Sequence, residues 1–200
     1  MRSPLYWHSA IYHGAMRGLY GRCYATRLAA VSERIEPGSS VVELCCADGR
    51  LYSRYLSGRV VQYLGLDLNP TFVKEAHRCD VPAEVRDLRQ GEFPKADVVV
   101  LQGSLYQFGP DYAGFLRRMV RAANSRVIVA EPVRNLAASA NHWIAWLASQ
   151  LTDPGTHPMS DRLDEAAFRG LLELFPTVEC VPIAGGRELL AVIESGRRTS

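Results

Sequence analysis

Lysine is nearly absent from this chain: only Lys74 and Lys95 occur, and arginine supplies the rest of the 23 basic residues. The arginines are scattered, and the net charge is only +2. The chain therefore lacks the stripe of positive charge that tracks nucleic acid, and no nucleic-acid partner is expected. No CxxC pair occurs. The five cysteines, Cys23, Cys45, Cys46, Cys79 and Cys180, are odd in number, and two are adjacent. That pattern is neither a disulfide framework nor a zinc site; it predicts no metal and fits a reducing, cytoplasmic setting. Long apolar runs are missing too. The stretch around 143–151 is too short and too polar to span a bilayer, so no stable membrane insertion is expected. Tyr6, Trp7, His8, Tyr12 and His13 interrupt any export-signal core near the start. There is no internal repeat or low-complexity tract. With 200 residues, 48% of them hydrophobic, a single globular domain over 1–200 is expected.

The first forty residues have a helical pattern, with Tyr24, Leu28, Val31 and Ile35 on one face, and Pro37-Gly38 ends it. Residues 1–38 then form an N-terminal helical cap. A short strand follows at 41–45, a turn at Asp48-Gly49, and a helix beginning with Leu51, Tyr55 and Leu56. A second strand at 62–66 ends at Asp67, and Asn69-Pro70 opens a helix, proline being tolerated at that position. Further strands are expected near 83–86, at 97–101 and at 126–130, with a helix at 112–122. Alternating strand and helix is the mark of a parallel sheet covered on both faces. After a helix at about 163–174 come two strand-like runs, 177–182 and 188–193. Only a short Gly185-Gly186 connection separates them, too short for a parallel crossover, so these two run antiparallel. The predicted fold is α/β, Rossmann-like and doubly wound, with a seven-stranded, mostly parallel sheet and an antiparallel last strand. Residues 135–161, with Trp143, Trp146 and Asp153-Pro154-Gly155, form a lid-like insertion.

Chemistry concentrates at the ends of the first three strands. The first turn runs Glu43-Leu44-Cys45-Cys46-Ala47-Asp48-Gly49. Small side chains there let a ligand approach the backbone, and the helix that follows offers free N–H groups. The nicotinamide pattern G-x-G-x-x-G fails, because Arg50 falls on its third small position. Glu43 would also oppose a pyrophosphate and suits a ligand bearing an amino group. Asp67 stands about twenty residues beyond the turn, the spacing of a ribose-binding acid. Asp87, with Leu88 beside it, could meet an adenine: the acid its exocyclic amine, a backbone N–H its ring. All three acids fall at C-terminal strand ends, the edge at which open α/β sheets bind ligands.

These segments resemble a known family, the class I S-adenosylmethionine-dependent methyltransferases. VVELCCADGR is similar to that family's first motif, YLGLDLNPTF to its second, VRDLRQGEFP to its third and ADVVVLQGSLYQF to its fourth; VIVAEPV resembles the next strand. The resemblance runs from about Val41 to Ile193 and implies S-adenosyl-L-methionine as cofactor. By that likeness Glu43, with Cys45, Ala47 and Gly49 of the turn, holds the methionine amino group. Asp67 and Leu68 hold the ribose side, Asp87 and Leu88 the adenine, and Gln102, Gly103 and Ser104 the methionine side, with Tyr12 bordering the pocket. Cys45 and Ala47 replace glycines common in the family, and Gln107 stands where many relatives have histidine.

The implied reaction is in-line methyl transfer to O or N of a small molecule, in which the protein aligns the acceptor and excludes water. An acceptor hydroxyl needs a base. His13, Tyr106, Glu131 and His157 are the candidates, and the residue pattern does not choose among them. A small-molecule substrate is the expected partner, with a homodimer allowed. Two other functions fit the same scaffold: a non-methylating cyclisation or isomerisation, and non-catalytic binding of S-adenosylmethionine.

Overall fold

The computed structural model describes residues 22–60, 62–133 and 163–196. Seven strands form one sheet: β1 (Ser40–Leu44), β2 (Gln62–Asp67), β3 (Ala83–Val85), β4 (Ala96–Gln102), β5 (Ala123–Pro132), β6 (Thr177–Ile183) and β7 (Glu188–Glu194). Their order is β3-β2-β1-β4-β5-β7-β6. β1 pairs in parallel with β2 and β4, β2 with β3, and β4 with β5, whereas β7 is antiparallel to both β5 and β6. The expected reversal of the last strand is present. It follows from the connection: Ala184, Gly185 and Gly186 all take positive φ in a tight 3-10 turn, which returns the chain at once.

Alternation along the strands builds two cores. Val42, Leu44, Val99, Leu101, Val127 and Val129 face one layer, filled by Phe115, Leu116 and Met119 of a helix at Tyr112–Ala122 and Phe168 and Leu172 of another at Glu165–Leu172. Val41, Val98, Val100, Ile128 and Ala130 face the other, filled by Leu28 and Val31 of a helix at Arg22–Glu33 and Val73 and Ala76 of one at Pro70–Arg78. In chain order these helices are α1 (22–33), α2 (70–78), α3 (112–122) and α4 (165–172). Asn69 caps α2 through its side-chain oxygen, 2.9 Å from the Thr71 amide, with Pro70 in the first turn. At the opposite edge from the strand ends of interest, Asp97 fixes the β1–β4 register by accepting from the Ser40 amide at 2.8 Å and hydroxyl at 2.7 Å.

Three expectations need correction. α1 stops at Glu33 rather than continuing to Pro37; its last carbonyls close i→i+3 bonds to Arg34 and Ile35, and Ile35 is buried beyond the helix. The helix expected from Leu51 shrinks to one π-helical turn, Tyr52–Leu56, closed by the Ser57 amide on the Tyr52 carbonyl and ended by Gly58 at φ 75°. β5 runs longer than 126–130, because its pairing with β7 extends to Pro132. Most of the N-terminal cap and the 135–161 insertion lie outside the described residues, as do Tyr12, His13, His142 and His157.

Candidate functional site

The parallel strands β3, β2 and β1 lie side by side, so the residues that leave their C-terminal ends share one rim. Asp67 sits at its centre. One carboxylate oxygen accepts from the Ala47 amide at 2.9 Å and the other from the Asn69 amide at 2.8 Å. These bonds tie the first turn to the end of β2, and each oxygen keeps a lone pair for a further donor. Burial raises the Asp67 pKa, against the pull of the two amides. Leu68, next along, is 56% exposed, a large apolar side chain left uncovered on the rim. Asp87 is half-buried and accepts from the Arg89 amide at 3.0 Å, capping its own turn. The Leu88 side chain is buried in the core, and its carbonyl takes a bond from Arg118 at 2.9 Å.

Glu43 is buried within β1, in the strand where the sequence places it. Its carboxylate accepts from the Tyr63 hydroxyl at 2.5 Å and from the Gln102 side-chain amide at 2.9 Å. Burial pushes its pKa up to about 7, while those two hydrogen bonds pull it down. The other side-chain atom of Gln102, Oε1, is buried with no partner. An orphaned acceptor of this kind, beside a carboxylate, is a seat for a donor that carries positive charge.

The first turn keeps its shape without the glycines. Cys45 has φ 55° and Ala47 φ 50°, both left-handed. A side chain in that region costs about 1–2 kcal/mol, so the turn is held by its surroundings. Burial beside Asp67 pushes the Cys45 thiol pKa up. Ala47→Gly is expected to stabilise the protein by about 1 kcal/mol, raising Tm by about 2–4 °C in a thermal melt. Gly49 also meets a packing constraint. A Cβ there would lie 2.4 Å from Val81 Cγ1, so this glycine lets the turn pack on the core.

Arginine at position 27 escaped the sequence reading. It is 5% exposed, and its Nη1 lies 3.4 Å from Glu188 Oε1. Gly103, at φ 58°, has no side chain because a Cβ would stand 2.9 Å from that same Nη1. Arg27 also lies over the Tyr24 ring at 5.2 Å, and burial raises the Tyr24 pKa to about 12. The signal was present: Arg27 falls between Tyr24 and Val31 on an otherwise apolar helix face, where a charge needs a partner. Among the base candidates, Glu131 is buried and accepts from the Leu105 amide at 3.1 Å, so it holds the turn after β4. Tyr106 is half-buried in that turn, a 3-10 helix at Leu105–Phe108. Among the described residues no group of His, Cys, Asp and Glu could hold a metal ion, and no helix is long and apolar enough to cross a membrane.

No protein-family model matches the chain, and no curated protein sequence does. Solved structures do match. A chain from the complex of the Haloferax volcanii Trm112 methyltransferase activator with a methyltransferase aligns at a TM-score of 0.69 and 17% identity, over 98% of this chain and 99% of that one. Magnesium protoporphyrin IX methyltransferase from Synechocystis PCC 6803, solved with S-adenosylhomocysteine, aligns at 0.64 and 20% identity over 90% and 84% of the two chains. The N-methyltransferase NodS from Bradyrhizobium japonicum, also with S-adenosylhomocysteine, aligns at 0.58 and 18% identity over 84% and 83%. The seven strands, their order and the reversed β7 thus give this chain the fold of the class I S-adenosylmethionine-dependent methyltransferases.

Proposed function

We propose that the chain is an S-adenosylmethionine-dependent methyltransferase that acts on O or N of a small molecule. One observation carries the reading. At the ends of β1 and β4, a carboxylate and an unpartnered amide oxygen stand near a buried guanidinium: Glu43, Gln102 Oε1 and Arg27 over Gly103. Acceptors and a cation gathered at one strand end match the amino-acid end of the cofactor, which has an ammonium and a carboxylate. Asp67 offers acceptors for two ribose hydroxyls, the exposed Leu68 an apolar face for the adenine, and Asp87 an acceptor for its amine. When bound, the cofactor supplies a methyl group on a sulfonium. The protein's part is to orient the two reactants and keep water away. Tyr106 borders the acceptor side, where a hydroxyl can position the incoming nucleophile.

The likeness to magnesium protoporphyrin IX methyltransferase supports a small-molecule substrate, as does the scatter of the arginines. A soluble, cytoplasmic enzyme is the setting that follows. The test is incubation with donor labelled in the methyl group and a small-molecule extract. A labelled small product with stoichiometric S-adenosylhomocysteine is expected. Product without S-adenosylhomocysteine would mean cyclisation or isomerisation, and label found only in protein would overturn the acceptor class.

Glu43 makes the pH dependence specific. A protonated Glu43 cannot neutralise an ammonium, so cofactor affinity should weaken as pH falls through about 7. Stability moves the other way for this group. The unfolded chain ionises Glu43 near the ordinary 4.5, while the folded chain keeps the proton up to about 7. Over that window the folded state binds more protons, so Glu43 contributes less stability as pH rises. Calorimetric titrations between about pH 5.5 and 8.5 should show the slope in the native protein and a flat line in Glu43→Gln.

A further inference from the structure

Beyond the Asp87 turn, a cleft of about 610 Å³ opens between residues 89–92 and one face of α3. Its volume falls within the range of about 300–1,000 Å³ that holds small ligands. Arg89 reaches it from the connection after β3. Arg117, Arg118 and Arg121 reach it from α3, at the three- and four-residue spacing that puts them on one helix face.

Two of these arginines serve the fold. Arg118 donates to the carbonyls of Leu88 at 2.9 Å, Gln90 at 3.3 Å and Gly91, and lies 4.3 Å above the Phe93 ring. Arg121 pairs with Glu92 at 3.3 Å. Arg89 and Arg117 differ: neither guanidinium has an ion pair or hydrogen bond among the described residues, and both line the cleft, one from the connection after β3 and the other from α3. The other acid of the cleft, Asp111, is turned onto the Gly114 amide at 2.9 Å as the α3 cap. The cleft therefore holds two positive forks in excess of its acids. Its wall also carries an apolar plate, Phe108 stacked on Phe115 with centroids 3.7 Å apart.

Two guanidinium groups that line one cleft without an acidic partner are complemented by a multiply charged oxyanion, which each fork can hold. We propose that this cleft binds a phosphorylated small molecule, its phosphates bridging Arg89 and Arg117 and its organic part lying on Phe108. The proposal stands apart from the cofactor reading, since none of Glu43, Asp67 and Asp87 lines the cleft.

The test is calorimetry on the whole chain with inorganic pyrophosphate, at low salt. Saturable binding is expected, weakened at least about tenfold in Arg89→Ala/Arg117→Ala. Those two side chains make no internal bonds, so circular dichroism should show the variant folded. Arg54→Ala/Arg78→Ala removes the same charge from exposed positions elsewhere and should bind as the native protein does. Equal weakening in the two variants, or no saturable binding at millimolar pyrophosphate, would overturn the site. Phenyl phosphate should bind more tightly than inorganic phosphate, and equal affinity would remove Phe108 from the proposal.

Discussion

Asp67→Ala is expected to raise the dissociation constant for S-adenosylmethionine by about a hundredfold or more. The carboxylate lies on the rim with one backbone donor on each oxygen, which leaves both oxygens able to take a ribose hydroxyl. Charge-assisted hydrogen bonds contribute about 1.5–3 kcal/mol each, and about 1.4 kcal/mol is a factor of ten in affinity. The substitution also releases the Ala47 and Asn69 amides, so the strained first turn loses its anchor. A thermal melt separates that effect from binding. Asp67→Asn keeps the shape and one acceptor and should fall between the two. An unchanged dissociation constant would take Asp67 out of the cofactor site.

Glu188→Ala should cost about 3–5 kcal/mol of stability, because it removes one side of a buried ion pair with Arg27. Glu188 is 1% exposed and Arg27 5%, so neither charge has water to fall back on. For a chain of this length each kcal/mol moves Tm by about 2–4 °C, and a drop of about 6–20 °C is the expected reading. The double variant Arg27→Met/Glu188→Leu should recover most of it, since two apolar side chains need no pairing. A single variant that melts with the native protein would show that the pair does not matter to the fold. The double variant should still bind cofactor weakly, because Arg27 is the cation available to a carboxylate above Gly103.

The sheet was legible because its strands obey simple rules. Runs such as 97–101 announce burial on both faces, and the short link at Gly185-Gly186 allows only an antiparallel return. Asp67 was legible because it closes a strand immediately before a capped helix. The left-handed turn at Cys45 and Ala47 was legible only by resemblance, since neither residue type asks for positive φ. Gly49 has a further need that the chain does not announce: a Cβ there would meet Val81, some thirty residues on, and no local pattern carries that contact. Glu43 was legible as a strand residue, but its partners were not: Tyr63 and Gln102 come to it from neighbouring strands. Arg27 went unseen because its partner Glu188 is brought near only by the reversed β7. The cleft beside α3 joins residues from two separate segments, and it too had no signature in the chain.

β1 is an interior strand, paired on one side by β2 and on the other by β4. Its neighbour β4 begins at Ala96, so a growing chain carries β1 with one bare edge until more than half of the protein has left the ribosome. At elongation rates of about 5–20 residues per second, the interval lasts seconds. A bare Val-Val-Leu strand is a template for pairing with other chains, and nature blunts such edges with an inward-pointing charge. Glu43 supplies that charge in the nascent chain, and in the folded sheet Tyr63 and Gln102 donate to it, so one side chain guards the strand first and equips the pocket afterwards.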